Sequence, residues 1–159
     1  MRKWLLGIVA VICMCSSTAQ AAPMDSLLER LSITRYTEHI NDHPERRQAL
    51  CLALNVYHEA RGSTRTDQVG VAWATKNRVS RSGHSYCRII WAPGQFTWTV
   101  RSVSSLIPHE MAAWNRAVRI SRQVMAGEIV DPTGGARNFR AARLGGGRGY
   151  RIIGAHAYW

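Results

Sequence analysis

The chain is short of acid. Ten Asp and Glu stand against 21 Lys and Arg, a formal net charge of +11 over 159 residues. A charge that large repels itself and is usually matched to an anionic partner. Nucleic acid, membrane surfaces and anionic cell-wall polymers are the partner classes it admits, and a basic protein merely kept soluble by its charge is the plain alternative. Metal chemistry is poorly provided for. His58-Glu59 and His109-Glu110 open like the zinc pattern H-E-x-x-H, yet Gly62 and Ala113 occupy the second histidine's place. His39 and His43 are four residues apart with no third histidine or cysteine nearby in sequence, so a solvated face suits them better than a metal. No metal and no cofactor is expected.

Long apolar runs are missing too. Arg2 and Lys3 precede an apolar stretch from Trp4 to Cys15, shorter than the roughly 20 residues of a spanning helix. Ser16-Ser17-Thr18-Ala19-Gln20-Ala21 follows, with small residues at 19 and 21, which is the pattern of a secretory signal cut after Ala21. An uncleaved N-terminal anchor is the alternative. Neither Cys13 nor Cys15 follows the small residue that a lipid anchor needs. Residues 1–21 therefore read as a signal peptide that touches the membrane in transit, and the protein as exported to the periplasm, cell wall or extracellular space. Export demotes nucleic acid as a partner and favours envelope polymers. Losing Arg2 and Lys3 takes the 21 basic residues to 19 against 10 acids, a net of +9.

Without that segment the chain has the length of one domain, with no internal repeat. A lone small domain is most simply a monomer. Of four cysteines, Cys51 and Cys87 remain. In an oxidising compartment they read either as a disulfide or as two buried free thiols, since Cys51 lies in a very apolar helix.

Periodicity gives mostly helix. Ser26 to Glu38 is a short amphipathic helix with Leu27, Leu28 and Leu31 on one side. From Pro44 to Arg61 the pattern is apolar nearly all round, which marks a central buried helix, with Gly62 as its stop. Thr64-x-x-Asp67 resembles a capping box opening a helix to Val79. Ser80 to Tyr86 reads as loop, and Cys87 to Trp91 is too short to assign. Pro108 to Ala126 forms a third long helix stopped by Gly127. Trp73 and Trp114 sit at helical spacing and belong to the core. After Asp131-Pro132, glycines break the periodicity, leaving loop and a small hairpin with arms at Tyr150–Ile153 and His156–Trp159.

Glu59 stands out against this background. The last turn of a helix carries partial negative charge, so a carboxylate there is disfavoured as an anion, and burial disfavours it further. Both effects raise its proton affinity, as a general acid requires. Tyr57, His58 and Arg61 flank it, although a turn of about 100° per residue prevents all of them from facing one cleft. Arg61 can hold an anionic substrate group or simply favour the helix end as a cation. Gln95 and Phe96, after a Pro-Gly turn, would suit sugar hydroxyls and a sugar face; core packing is the alternative for Phe96.

The run Leu50-Cys51-Leu52-Ala53-Leu54-Asn55-Val56-Tyr57-His58-Glu59-Ala60-Arg61-Gly62 resembles the signature of the SleB/CwlJ family of cell wall hydrolases. Four further segments agree in order: Gln68-Val69-Gly70-Val71-Ala72 with Asn77-Arg78-Val79, Cys87 with Gln95-Phe96-x-Trp98, Asp131-Pro132-Thr133-Gly134-Gly135-Ala136, and Ile153-Gly154-x-His156-x-Tyr158. The resemblance spans about residues 48–159 as a catalytic domain, preceded by an N-terminal helical extension, 22–47. It implies an α+β, mainly helical, lysozyme-like domain of the lytic transglycosylase kind, acting on peptidoglycan. It also implies that Glu59 is the catalytic acid and that Trp98 and His156 join the substrate-binding residues. A muramidase that hydrolyses the same bond needs a second carboxylate. The nearest, Asp67 and Glu110, read as helix-start residues satisfied by local backbone. Non-catalytic wall binding or membrane activity by a cationic protein remains the rival reading. Arg137, Arg140, Arg143, Arg148 and Arg151 make the C-terminal region unusually basic, either a grip for anionic envelope polymers or a solvated loop.

Overall fold

The computed structural model describes residues 18–31, 36, 45–145 and 148–159. Most of the expected signal segment, the end of the expected Ser26–Glu38 helix and the His39/His43 pair lie outside them. The described chain is mainly helical with one small antiparallel sheet at its C-terminal end. Helices α1 (Thr18–Leu31), α2 (Arg46–Ala60) and α3 (Arg65–Ser82) are followed by the short α4 (Tyr86–Ile90), a 3-10 turn (Thr97–Val100) and α5 (Val103–Leu106). Helix α6 (Met111–Ala126) then leads to strands β1 (Phe139–Ala141), β2 (Arg151–Ile153) and β3 (His156–Tyr158). No described helix is long and apolar enough to cross a membrane.

Helix α2 is the axis of the molecule because its sequence is apolar on every side. Leu50 to Tyr57 are all buried, and α3, α4 and α6 pack around them. Leu27, Leu28 and Leu31 of α1 enter the same core. Helix α1 begins at Thr18, eight residues before the expected start, with Pro23 inside it. Cys51 of α2 and Cys87 of α4 are joined by a disulfide, their Cα atoms 5.2 Å apart.

Helix ends follow local chemistry in most places. Thr64 caps α3 by accepting from the Asp67 amide at 3.3 Å. Gly83 and Gly127 close α3 and α6 in the left-handed conformation, at φ 69° and 76°, where only glycine escapes a steric penalty. Ser85 caps α4, which settles the Cys87–Trp91 segment as helical. Three expectations fail here. Helix α3 runs past Val79 to Ser82, into the expected Ser80–Tyr86 loop, and Tyr86 already belongs to α4. Helix α6 starts at Met111 rather than Pro108. Gly62 is not a left-handed stop: α2 ends through Arg61 in ordinary helical geometry, and the side-chain amide of Gln68 donates to the Ser63 carbonyl at 3.0 Å.

The sheet has three strands in the order β1-β3-β2, all neighbours antiparallel. The hairpin β2–β3 falls where the sequence places it. Strand β1 has no sequence signal, being three residues long between glycine-rich loops. A scaffold of partly buried polar contacts holds that region to α3: Asn77 donates to Asp131 Oδ2 and to the Ala136 carbonyl, at 3.0 and 2.9 Å. Asp131 in turn accepts from the Thr133 and Gly135 amides.

Candidate active site

Glu59 is the penultimate residue of α2 and half-buried. Burial raises its proton affinity, while the nearby charges of His156 and Arg101 pull it back without cancelling the rise. A carboxyl so placed keeps its proton at a higher pH than one in water, as an acid catalyst must.

An arc of aromatic and imidazole rings runs beside it. His58 stacks on Trp98 with ring centres 4.7 Å apart, Trp98 meets Phe96 at 6.4 Å, Phe96 meets Phe139 at 6.0 Å, and Phe139 meets His156 at 5.2 Å. Both ends of the arc adjoin Glu59: His58 precedes it in sequence and His156 reaches it through space. Burial lowers the His58 pKa to about 4; a hydrogen bond to the Leu106 carbonyl opposes the fall, and Arg61 and Arg101 add to it. His58 is therefore neutral at ordinary pH and donates Nε2–H to that carbonyl. Trp98 is itself buried and gives its indole N–H to Asn55 Oδ1 at 3.4 Å.

His156 is fixed from behind. Its Nδ1 lies 3.0 Å from Oδ2 of Asp67, a carboxylate with no solvent exposure. Asp67 also accepts from Tyr158 Oη at 2.6 Å, from the Ala155 amide at 2.9 Å and from the Ser63 hydroxyl. Burial alone would raise the Asp67 carboxyl, but these donors outweigh it and hold it below the usual carboxylate range. Asp67 is thus satisfied by the distant C-terminal sheet as well as by Ser63, not by the backbone of its own helix start. Two glycines make room: a Cβ on Gly70 would sit 2.8 Å from the Tyr158 ring, and one on Gly154, at φ 56°, would sit 2.9 Å from Asp67 Cβ.

The remaining expected site residues are dispersed. Tyr57 is buried beneath the start of α6, where its hydroxyl accepts from the amides of His109 and Glu110, each at 3.2 Å. Arg61 is exposed and ion-paired to Glu110 at 2.8 Å, so Glu110 answers to Arg61 and not to the helix backbone. Gln95 is exposed and accepts from Arg78 at 3.0 Å, while Phe96 is buried beneath the Arg78 guanidinium, 5.7 Å above its ring. Trp114 is fully buried; Trp73 is half-buried against the core and donates to the Ile129 carbonyl. No group of three potential metal ligands occurs among the described residues. Sequence reasoning assigned no role to Arg78, Arg101 or Phe139, though Arg78 falls in a segment that carries the family resemblance, and it missed the Asp67 pairing. The terminal His156-x-Tyr158 pattern was the one available signal for the last of these, and it does not name a partner.

A mainly helical domain with a small C-terminal sheet is also the fold class of a known bacterial catalytic domain. The crystal structure of the catalytic domain of the Bacillus cereus SleB protein superposes with a TM-score of 0.52 at 25% identity, covering 70% of this chain and 89% of that one. The chain belongs to the cell wall hydrolase family, whose sequence pattern matches residues 62–158. That matched span begins just after Glu59, so the case for the acid rests on its own geometry. No curated protein sequence matches the chain.

Proposed function

We propose that the protein cleaves peptidoglycan glycan strands between N-acetylmuramic acid and N-acetylglucosamine, as a lytic transglycosylase with Glu59 as lone general acid and base. The observation that carries this reading is the half-buried Glu59 at the end of α2, its proton affinity raised by burial beside the ring arc. Membership of the cell wall hydrolase family supports the choice of polymer.

The chemistry balances on one carboxyl. Protonated Glu59 gives its proton to the glycosidic oxygen as the bond to the anomeric carbon breaks. The resulting carboxylate takes the proton from the 6-hydroxyl of the same muramoyl residue, whose oxygen bonds to that carbon. A 1,6-anhydro end forms, no water is consumed, and Glu59 is again protonated. Gln95, exposed at the rim, offers an amide to hydroxyl or N-acetyl groups, and His156 borders the acid. Arg61 would meet an anionic substituent by exchanging its Glu110 partner, and His58, Phe96 and Trp98 belong to the ring arc, while Tyr57 supports the start of α6 from below. Hydrolysis by a muramidase would need a second carboxylate to activate water or attack the sugar. Asp67 has its oxygens filled by four donor groups and no exposure. Glu110 is paired to Arg61. Export to the envelope, where this polymer lies, completes the proposal.

Mass spectrometry of muropeptides released from purified sacculi tests it. Wild type should yield anhydro ends and Glu59→Gln should yield none. Reducing ends would overturn transglycosylation in favour of a muramidase. Equal release by both proteins would reject Glu59, and release by neither would favour a non-catalytic wall-binding protein.

A further inference from the structure

The C-terminal sheet has two chemically different faces. Residues directly opposite in antiparallel strands share a face, and the face alternates along each strand. The rows containing Phe139–Tyr158 and His156–Ile153 turn inward, where Tyr158 and His156 are buried and Phe139 and Ile153 pack on the core. The middle row, Arg140–Ala157–Ile152, turns outward, with the small central Ala157 itself buried and Arg140 and Ile152 exposed on either side. Tyr150 and Trp159 fall on that outer side by alternation, with ring centres 4.7 Å apart. The Arg140 guanidinium lies over both rings, at 5.3 and 5.8 Å, and is anchored by the Gly145 carbonyl at 2.8 Å. Ile152, Leu144 and Trp159 are 63%, 59% and 42% exposed. Arg143 and Arg148, from the segment that joins β1 to β2, are exposed, Arg151 belongs instead to the row of Tyr158 and donates to the Pro132 carbonyl, and from Pro132 to Trp159 the sequence contains no Asp or Glu.

The geometry points to a lipid bilayer with anionic headgroups as the partner of this outer face. Unopposed arginines match a negatively charged surface. Aromatic rings with a polar edge favour the boundary between headgroups and acyl chains, and the aliphatic Ile152 and Leu144 gain by leaving water there. Arginine adds a stem that lies along apolar surface while its fork reaches phosphate. A soluble polyanion would use the same cations but leave Leu144 and Ile152 in water, so the mixture of exposed aliphatic and cationic groups selects the bilayer. The sheet's inner face carries His156, so docking would hold the Glu59 region one sheet thickness from the membrane.

Vesicle sedimentation of the full chain tests this, with phosphatidylglycerol/phosphatidylcholine vesicles compared with phosphatidylcholine alone. The apolar N-terminal segment is common to every protein used, so differences between variants report the sheet. Arg143→Gln with Arg148→Gln should weaken partition to the anionic vesicles about 25-fold, at roughly five-fold per cation. Leu144→Ser with Ile152→Ser should weaken it by about ten-fold or more. Brominated phosphatidylglycerol should quench the tryptophan fluorescence of wild type more than that of Trp159→Phe, a substitution that keeps a ring in place. Wild-type partition by both double variants, equal losses on neutral vesicles, or no quenching difference would overturn the assignment. Losses confined to binding of purified sacculi would also overturn it, and would assign the face to a wall polymer.

Discussion

His156 gives Nδ1 to the carboxylate of Asp67 at 3.0 Å, across 89 residues of sequence. Both residues are buried, and the pair ties the start of α3 to the last strand of the sheet. Removing its charge should therefore be costly. Asp67→Asn leaves donors facing a group that can accept at only one oxygen, and should lower the unfolding free energy by about 3 kcal/mol, as breaking a buried pair commonly does. Because donors hold the Asp67 carboxyl below its usual range, its stabilisation is complete above pH of about 4 and is lost as pH falls through the lower folded-state value. Urea midpoints from pH 6 down to pH 2 should show wild type losing more stability than the variant.

Glu59 should behave in the opposite way. Its raised proton affinity means that the folded state binds a proton more tightly than the unfolded chain. Stability therefore falls as pH rises from the ordinary carboxyl value through the folded-state value, and the penalty persists above both. Glu59→Gln should melt at a higher temperature than wild type at neutral pH and lose that advantage in acid. On sacculi the same variant should be slower by about 10²–10⁴-fold, the usual worth of one acid–base group. Wild-type kcat/KM should decline as pH rises through the Glu59 value. A thermal shift without loss of activity would separate the burial argument from the catalytic one.

Gly70 and Gly154 are predicted to resist alanine. At Gly70 the new carbon would meet the buried Tyr158 ring at 2.8 Å, and at Gly154 it would meet Asp67 while the backbone sits at φ 56°. Each change should cost about 1–3 kcal/mol through overpacking, with added strain at Gly154. Gly62→Ala, with nothing within 4 Å of the added carbon and no left-handed φ, should be nearly neutral. Denaturant melts of the three variants check the ranking.

The Cys51–Cys87 bridge closes a loop between residues 36 apart in sequence. Loop-closure entropy for that length corresponds to about 4 kcal/mol. Cys51→Ala with Cys87→Ala should lower the urea midpoint accordingly, and a reductant should shift wild type toward the variant while leaving the variant unmoved.

Local order was legible because its causes are local. The all-round apolar pattern of Ala49 to Ala60 fixed a buried central helix, Thr64 marked the start of the next, and Gly127 marked the end of α6. Glu59 could be singled out because a carboxylate in the last turn of a helix is unfavourable wherever the helix is found. Gly62 misled because the end of α2 closes without a left-handed residue, the Arg61 and Ser63 amides donating to the Tyr57 and Ala60 carbonyls. Strand β1 could not be read, since three residues carry no period and acquire strand geometry only by pairing with β3.

The sequence by itself determined a mainly helical, strongly cationic chain with one misplaced acid, because helix period, capping and net charge are properties of neighbouring residues and of composition. Only the tertiary structure decided what surrounds that acid. The ring arc from His58 to His156, the burial of Asp67 under four donor groups and the two-faced sheet all join segments tens of residues apart. Such contacts depend on which surfaces meet when the core closes, and that information is spread over the whole fold.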